Sequence, residues 1–109
     1  MAKYLFTASY TAAGAKGVLS EGGTSRQKAV ERLVKSVGGK VEAMYWAFGA
    51  HDFYMIADMP DAAAAAALSL TVSSTGTVAA STTVLLTAAD LDAAAKTNAQ
   101  YRAPGAKSK

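Results

Sequence analysis

Residues 40–60, KVEAMYWAFGAHDFYMIADMP, decide how the rest of the chain is read. Val, Tyr, Trp and Phe suit a pleated, half-buried surface, and glycine accepts the positive φ that a tight hairpin turn demands. The stretch therefore predicts two strands folded over a Gly49-Ala50 turn. It also contains the only Trp and the only His of the chain, Trp46 and His51. Met44, Trp46 and Phe48 alternate with Val41, Ala43 and Tyr45, and Phe53 and Met55 alternate with Tyr54 and Ile56. Both sides of this hairpin are thus apolar, which matters for what must cover it.

Upstream, Lys3 to Tyr10 places Tyr4, Phe6, Ala8 and Tyr10 on one side and Leu5, Thr7 and Ser9 on the other, the period-2 pattern of a strand. Thr11 to Gly23 carries four glycines among small residues and reads as a flexible connection, a candidate lid or binding loop. Thr24 to Val37 puts Ala29, Val30, Leu33, Val34 and Val37 on one helical stripe. Thr24 and Gln27 match a capping box, and Gly38-Gly39 supplies the stop. Downstream of the hairpin, a second helix is expected from about Asp61 to Ser74, capped by an Asp and ended by Gly76. Val78 to Leu86 is the last strand. Thr87 and Asp90 offer a further cap, and a short helix over Asp90 to Tyr101, docked on the rest, is expected to follow.

The order strand, helix, strand, strand, helix, strand is the split βαβ pattern, so the expected fold is α+β. It is a ferredoxin-like βαββαβ antiparallel sheet, with helices on one face and the first and third strands central, plus a short C-terminal helix. The helix-free face should be polar in a monomer, yet Met44, Trp46 and Phe48 stand against Val41, Ala43 and Tyr45, and Phe53 and Met55 against Tyr54 and Ile56, so both faces are apolar. Sheet-to-sheet packing into a homodimer or higher homo-oligomer, as in a dimeric α/β barrel, is the expected solution.

The 109 residues fit one domain, taken as residues 1–103, with 104–109 as a flexible basic tail. The absence of cysteine excludes disulfides, thiolate metal ligands and a cysteine nucleophile. One His makes an ordinary zinc site improbable, and no pattern for a bound cofactor is present, so none is expected. The net charge of +3 owes much to Arg102, Lys107 and Lys109, and the remaining bases are interspersed with acids, which argues against nucleic acid as a partner. Gly14-Ala15-Lys16-Gly17 matches a backbone-clamping GXXG loop only loosely, since a strand precedes it. The N-terminus shows no signal-peptide pattern and no run is apolar enough to span a membrane, so a cytoplasmic location is expected.

The segments KYLFTASYT, AAGAKG, GGKVEAMYWAFGAHDFYMIADMPD and STGTV together resemble the GYD domain family of small bacterial and archaeal proteins, over about Ala2 to Leu86. The family's Gly-Tyr-Asp feature falls on Gly49, His51 and Asp52, with His in the tyrosine position. The family is similar to the dimeric α/β-barrel group, which includes cofactor-free oxygenases, isomerases and ligand-binding proteins. The resemblance implies a pocket and an oligomer without specifying a chemistry.

His51 is the candidate general base, with Asp52 beside it as a second candidate catalytic residue. Strand neighbours point to opposite faces, so the two form no dyad unless the turn distorts the alternation; Asp52 closing the hairpin and His51 as a turn or interface residue is the structural alternative. Tyr10, Tyr45, Trp46, Phe53 and Tyr54 are the candidate lining for a small aromatic or apolar ligand, though core packing draws on the same residue types. Two functions follow. One is a homo-oligomeric small-molecule-binding or regulatory domain; the other is a cofactor-independent oxygenase or isomerase acting on a small aromatic or enolisable substrate, with His51 as base.

Overall fold

The computed structural model describes residues 1–106. In chain order the elements are β1 (Ala2–Tyr10), α1 (Ala12–Glu21), α2 (Gly23–Ser36), β2 (Lys40–Trp46), β3 (Phe53–Met59), α3 (Ala62–Ser74), β4 (Val78–Leu85) and α4 (Ala88–Lys96). The four strands form one antiparallel sheet in the order β2-β3-β1-β4, so the first and third strands are central and the arrangement is ferredoxin-like.

Alternation along the central strands builds the core. Tyr4, Phe6 and Ala8 of β1 pair with Ala57, Met55 and Phe53 of β3, and all six are buried beneath the helices. Val34 of α2 and Ala65 and Leu68 of α3 close over them. Burying a side chain such as Met55 or Val34 contributes about 1.5–3 kcal/mol. On the open face the partners are Lys3 with Asp58, Leu5 with Ile56, and Thr7 with Tyr54.

β2 departs from strict alternation. A bulge between Val41 and Ala43 shifts the register, so that Val41 pairs with buried Ala57 whereas Ala43 pairs with Ile56. Val41 therefore joins Met44 and Trp46 against the core, and does not share the open side with Ala43 and Tyr45 as simple alternation predicts. The inserted residue turns one strand against its own pattern.

Several other expectations are corrected. Thr11 to Gly23 is not a loop: ten of its residues are α1, whose N-cap Thr11 accepts from the Gly14 amide. Two further bonds pin the same end, from the Thr11 amide to Thr77 O at 3.0 Å and from Thr11 Oγ1 to Gly76 O at 2.9 Å. A Cβ at Gly14 would lie 2.0 Å from Thr77 O, so only glycine permits this approach. The Gly14–Gly17 segment is consequently helical and offers no GXXG clamp. α2 starts at Gly23 behind an N-cap, Gly22, that makes no side-chain bond, so the Thr24–Gln27 box does not form. Its end is as expected: Gly38 takes φ 83° while the Gly38 and Gly39 amides bond to Lys35 O and Val34 O.

Asp61 caps α3 through the Ala64 amide, and Thr87 with Asp90 forms a reciprocal capping box on α4. α4 stops at Lys96 and not at Tyr101, because Thr97 is extended and its hydroxyl donates to Ala93 O. Nor does α4 dock on its own chain: none of its residues is buried and Leu91 is 63% exposed. The arm stretches the molecule to 62 Å with a radius of gyration of 17.8 Å, where a compact domain of this length gives about 13 Å. Pro104 and Gly105 form a turn closed by Arg102 on Ala106 O; the rest of the expected flexible tail, residues 107–109, lies outside the described residues.

Candidate functional site

α2 packs on β2 and α3 on β4 and β3, leaving a gap between the two helices over the sheet. A cleft of about 310 Å³ opens in the gap. Phe6, Ala8, Phe53 and Met55 form its floor, Val30 and Leu33 one wall, and Leu68 and Val72 the other. Small side chains keep the space open, notably Ala29 on α2 and Ala80 on β4. The polar groups collect around Tyr10, Arg26, Thr71, Thr75 and Thr77. Volume, apolar walls and a few clustered polar groups are the usual make-up of a small-molecule site.

Tyr10 is positioned by a second aromatic residue. The Trp46 indole Nε1 donates to Tyr10 Oη at 2.8 Å, and the Trp46 ring meets Phe53 edge-on with centroids 5.3 Å apart. Trp46 thus stands behind the lining and supports it. The five predicted ligand residues divide between the two sides of the sheet: Tyr10 and Phe53, backed by Trp46, belong to the cleft. Tyr45 and Tyr54 are cross-strand partners on the open face, Tyr45 being 70% exposed.

The hairpin end has its own geometry. The strands part after Trp46 and Phe53, leaving residues 47–52 as a broad loop in place of a tight Gly49-Ala50 turn. The positive φ falls on Phe48, at 124°, and not on Gly49. Asp52 holds this loop against β1: its amide donates to Ala8 O at 2.8 Å, its Oδ2 accepts from the Tyr10 amide at 2.8 Å, and its carbonyl accepts from Ala47 at 2.9 Å. His51 turns the other way, its ring 5.9 Å from Tyr54 and nearly perpendicular to it.

A model of the GYD domain matches residues 4–95. The chain belongs to the GYD domain family. No curated protein and no solved structure gives a match. Within this GYD domain, Asp52 is the member of the Gly49, His51, Asp52 feature whose geometry is explicit. One carboxylate replaces a ladder bond and ties the hairpin end to the strand that supplies Tyr10. No hydrogen bond joins His51 to Asp52 among the described residues, and neither borders the cleft.

On the open face of the GYD domain, Lys3 Nζ lies 2.7 Å from Glu42 Oε1 and 3.0 Å from Asp58 Oδ1. These bonds, Glu42 first and then Asp58, raise the Lys3 pKa above the usual lysine value. No group of acids and His suited to a metal ion occurs among the described residues, and no described helix is long and apolar enough to cross a membrane.

Sequence reasoning missed Arg26 and the threonines. Arg26 falls on the same helical stripe as Val30, Leu33 and Val37, so a cation on an apolar face was the available signal. Thr75 and Thr77 flank Gly76 in a turn, where only the tertiary packing of α1 and α3 brings them to the cleft.

Proposed function

We propose that this GYD domain is a homo-oligomeric small-molecule-binding domain, taking an apolar or aromatic ligand into the cleft between α2, α3 and the sheet. The observation that carries the reading is the apolar cleft of about 310 Å³ itself, which ordinary core packing would have filled. Its lining supplies no general base, since Arg26 is the one charged residue in it. Binding without turnover therefore stands ahead of catalysis. A cofactor-free reaction with His51 as base would require a substrate held on the opposite side, near Tyr54.

Self-association is supported by the other face, where Leu5, Tyr54, Ile56 and Leu85 form an apolar centre that no element of the same chain covers. α4 adds to the argument, because a nine-residue helix that buries none of its residues is marginal in water. Met44 and Trp46 pack toward the helices, so Ile56 and Tyr54 are the positions at which to test subunit contact. A thermal-shift screen of small neutral aromatics, with light scattering on the same samples, tests the proposal. Saturable stabilisation of a species heavier than 11.1 kDa is expected. A monomer that no such compound stabilises would contradict it.

A further inference from the structure

Arg26 stands where two spaces meet. It lines the large cleft and also a smaller chamber of about 180 Å³ under α1, and Tyr10, Thr77 and Val78 border both. Its only ionic partner among the described residues is Glu21 at the end of α1, with Arg26 Nη1 and Glu21 Oε2 3.6 Å apart. That is well beyond the roughly 2.7–2.9 Å of a charge-assisted hydrogen bond. Glu21 is moreover engaged by Ser25, whose hydroxyl donates to Oε1 at 2.8 Å. The guanidinium thus keeps most of its five donors unspent.

Tyr10 has the same polarity. Its hydroxyl oxygen accepts from Trp46, which leaves the phenol its own proton to donate. Arg26 and Tyr10 thus offer donors to an apolar cleft that contains no acid and whose other polar side chains are threonine hydroxyls. The complementary ligand carries an acceptor-only group at one end and an apolar body at the other. At ~30 Å³ of liquid volume per water-sized atom, the cleft holds about ten non-hydrogen atoms.

We propose, resting on the ligand-binding reading above, that the ligand is a small apolar or aromatic carboxylate whose carboxyl group displaces Glu21 from Arg26. Glu21 is the intramolecular stand-in for that group, and Ser25 receives the glutamate when it is released. The apolar body lies over Phe6, Phe53 and Met55.

Titration calorimetry with hydrocinnamate and hydrocinnamyl alcohol, which share one apolar body, tests this on the full chain. The wild-type protein is expected to bind the acid about tenfold or more tightly than the alcohol, the worth of a hydrogen-bonded charge pair. Arg26→Met should abolish that preference, bringing the acid down to the affinity of the alcohol. Glu21→Gln should tighten acid binding severalfold, the scale of an exposed ion pair, without changing the alcohol. Equal binding of acid and alcohol by the wild type, or a preference that survives Arg26→Met, overturns the carboxylate assignment and leaves the cleft as a binding site. Failure of both compounds to bind overturns the assignment together with the cleft reading. Arg26 is only partly buried and makes no buried hydrogen bond, so the variant's circular dichroism should match the parent's.

Discussion

The two faces of the sheet are made from the same four strands and differ only in which alternate residues they present, yet they have opposite fates. On the helix side, Phe6, Met55, Ala57 and Met59 are almost fully buried, and the cleft opens directly over Phe6 and Met55. On the open side, Leu5 and Ile56 lie at the centre of a surface edged by Thr7, Thr83 and the Lys3–Glu42–Asp58 cluster. A helical layer completes one face within the chain. The other face has no helical layer, is apolar at its centre and charged at its edge, and is the one through which we propose that the domain self-associates.

The sharpest break of this comparison comes from neighbours in sequence. Phe6→Ala should lower the unfolding free energy by about 3–5 kcal/mol in urea titration, since it empties a site that is 2% exposed. Leu5→Ala, one residue away and on the open face, should cost far less in a dissociated subunit. Equal losses would mean that the two faces are equivalent.

Ile56→Glu attacks the open face directly. A charge buried there without a partner costs several kcal/mol, so the scattering mass should fall to 11.1 kDa with the circular dichroism retained. A mass equal to the parent's would contradict self-association through this face. Asp52→Ala tests the tie between hairpin and β1. Loss of its carboxylate bond to the Tyr10 amide should cost about 1.5–3 kcal/mol and loosen Tyr10, read as faster amide exchange at that residue.

The smallest effect belongs to Lys3. Its pKa is raised in the folded state by Glu42 and Asp58, so its contribution is complete below the unfolded value of about 10.4. That contribution is lost as pH rises through the higher folded value. Lys3→Met should remove this alkaline limb, and salt should weaken it in the parent. A limb unchanged in the variant would assign it to another group.

How far the sequence disclosed this molecule depends on where the determining contacts lie. β1, β3, α3 and β4 follow from local pattern and caps, because Tyr4, Phe6 and Ala8 alternate and Asp61 precedes an alanine run. α1 was illegible for the opposite reason. Its glycines argue against a helix, and what holds it is the contact of Thr11 and Gly14 with Thr77, more than sixty residues away. The bulge at Glu42 was equally hidden, since nothing in the alternation of β2 marks the extra residue. For the site, the aromatic residues were visible as a set, but not their division between faces. Tyr10 and Phe53 could be assigned to the cleft, and Tyr45 and Tyr54 to the open side, only once the register was known.

Trp46 reports most directly on the cleft, because it bonds to Tyr10 and touches Phe53, two residues of the lining, and is the only Trp in the chain. Titration with hydrocinnamyl alcohol, which is uncharged, should give a saturable change in Trp46 emission in the wild-type protein. Ala29→Phe, which fills the cleft from α2, should abolish the change, and Ile56→Glu on the open face should leave it intact. A wild-type response that does not saturate, or one that survives Ala29→Phe and disappears with Ile56→Glu, would contradict the assignment of ligand to the helix side of the sheet.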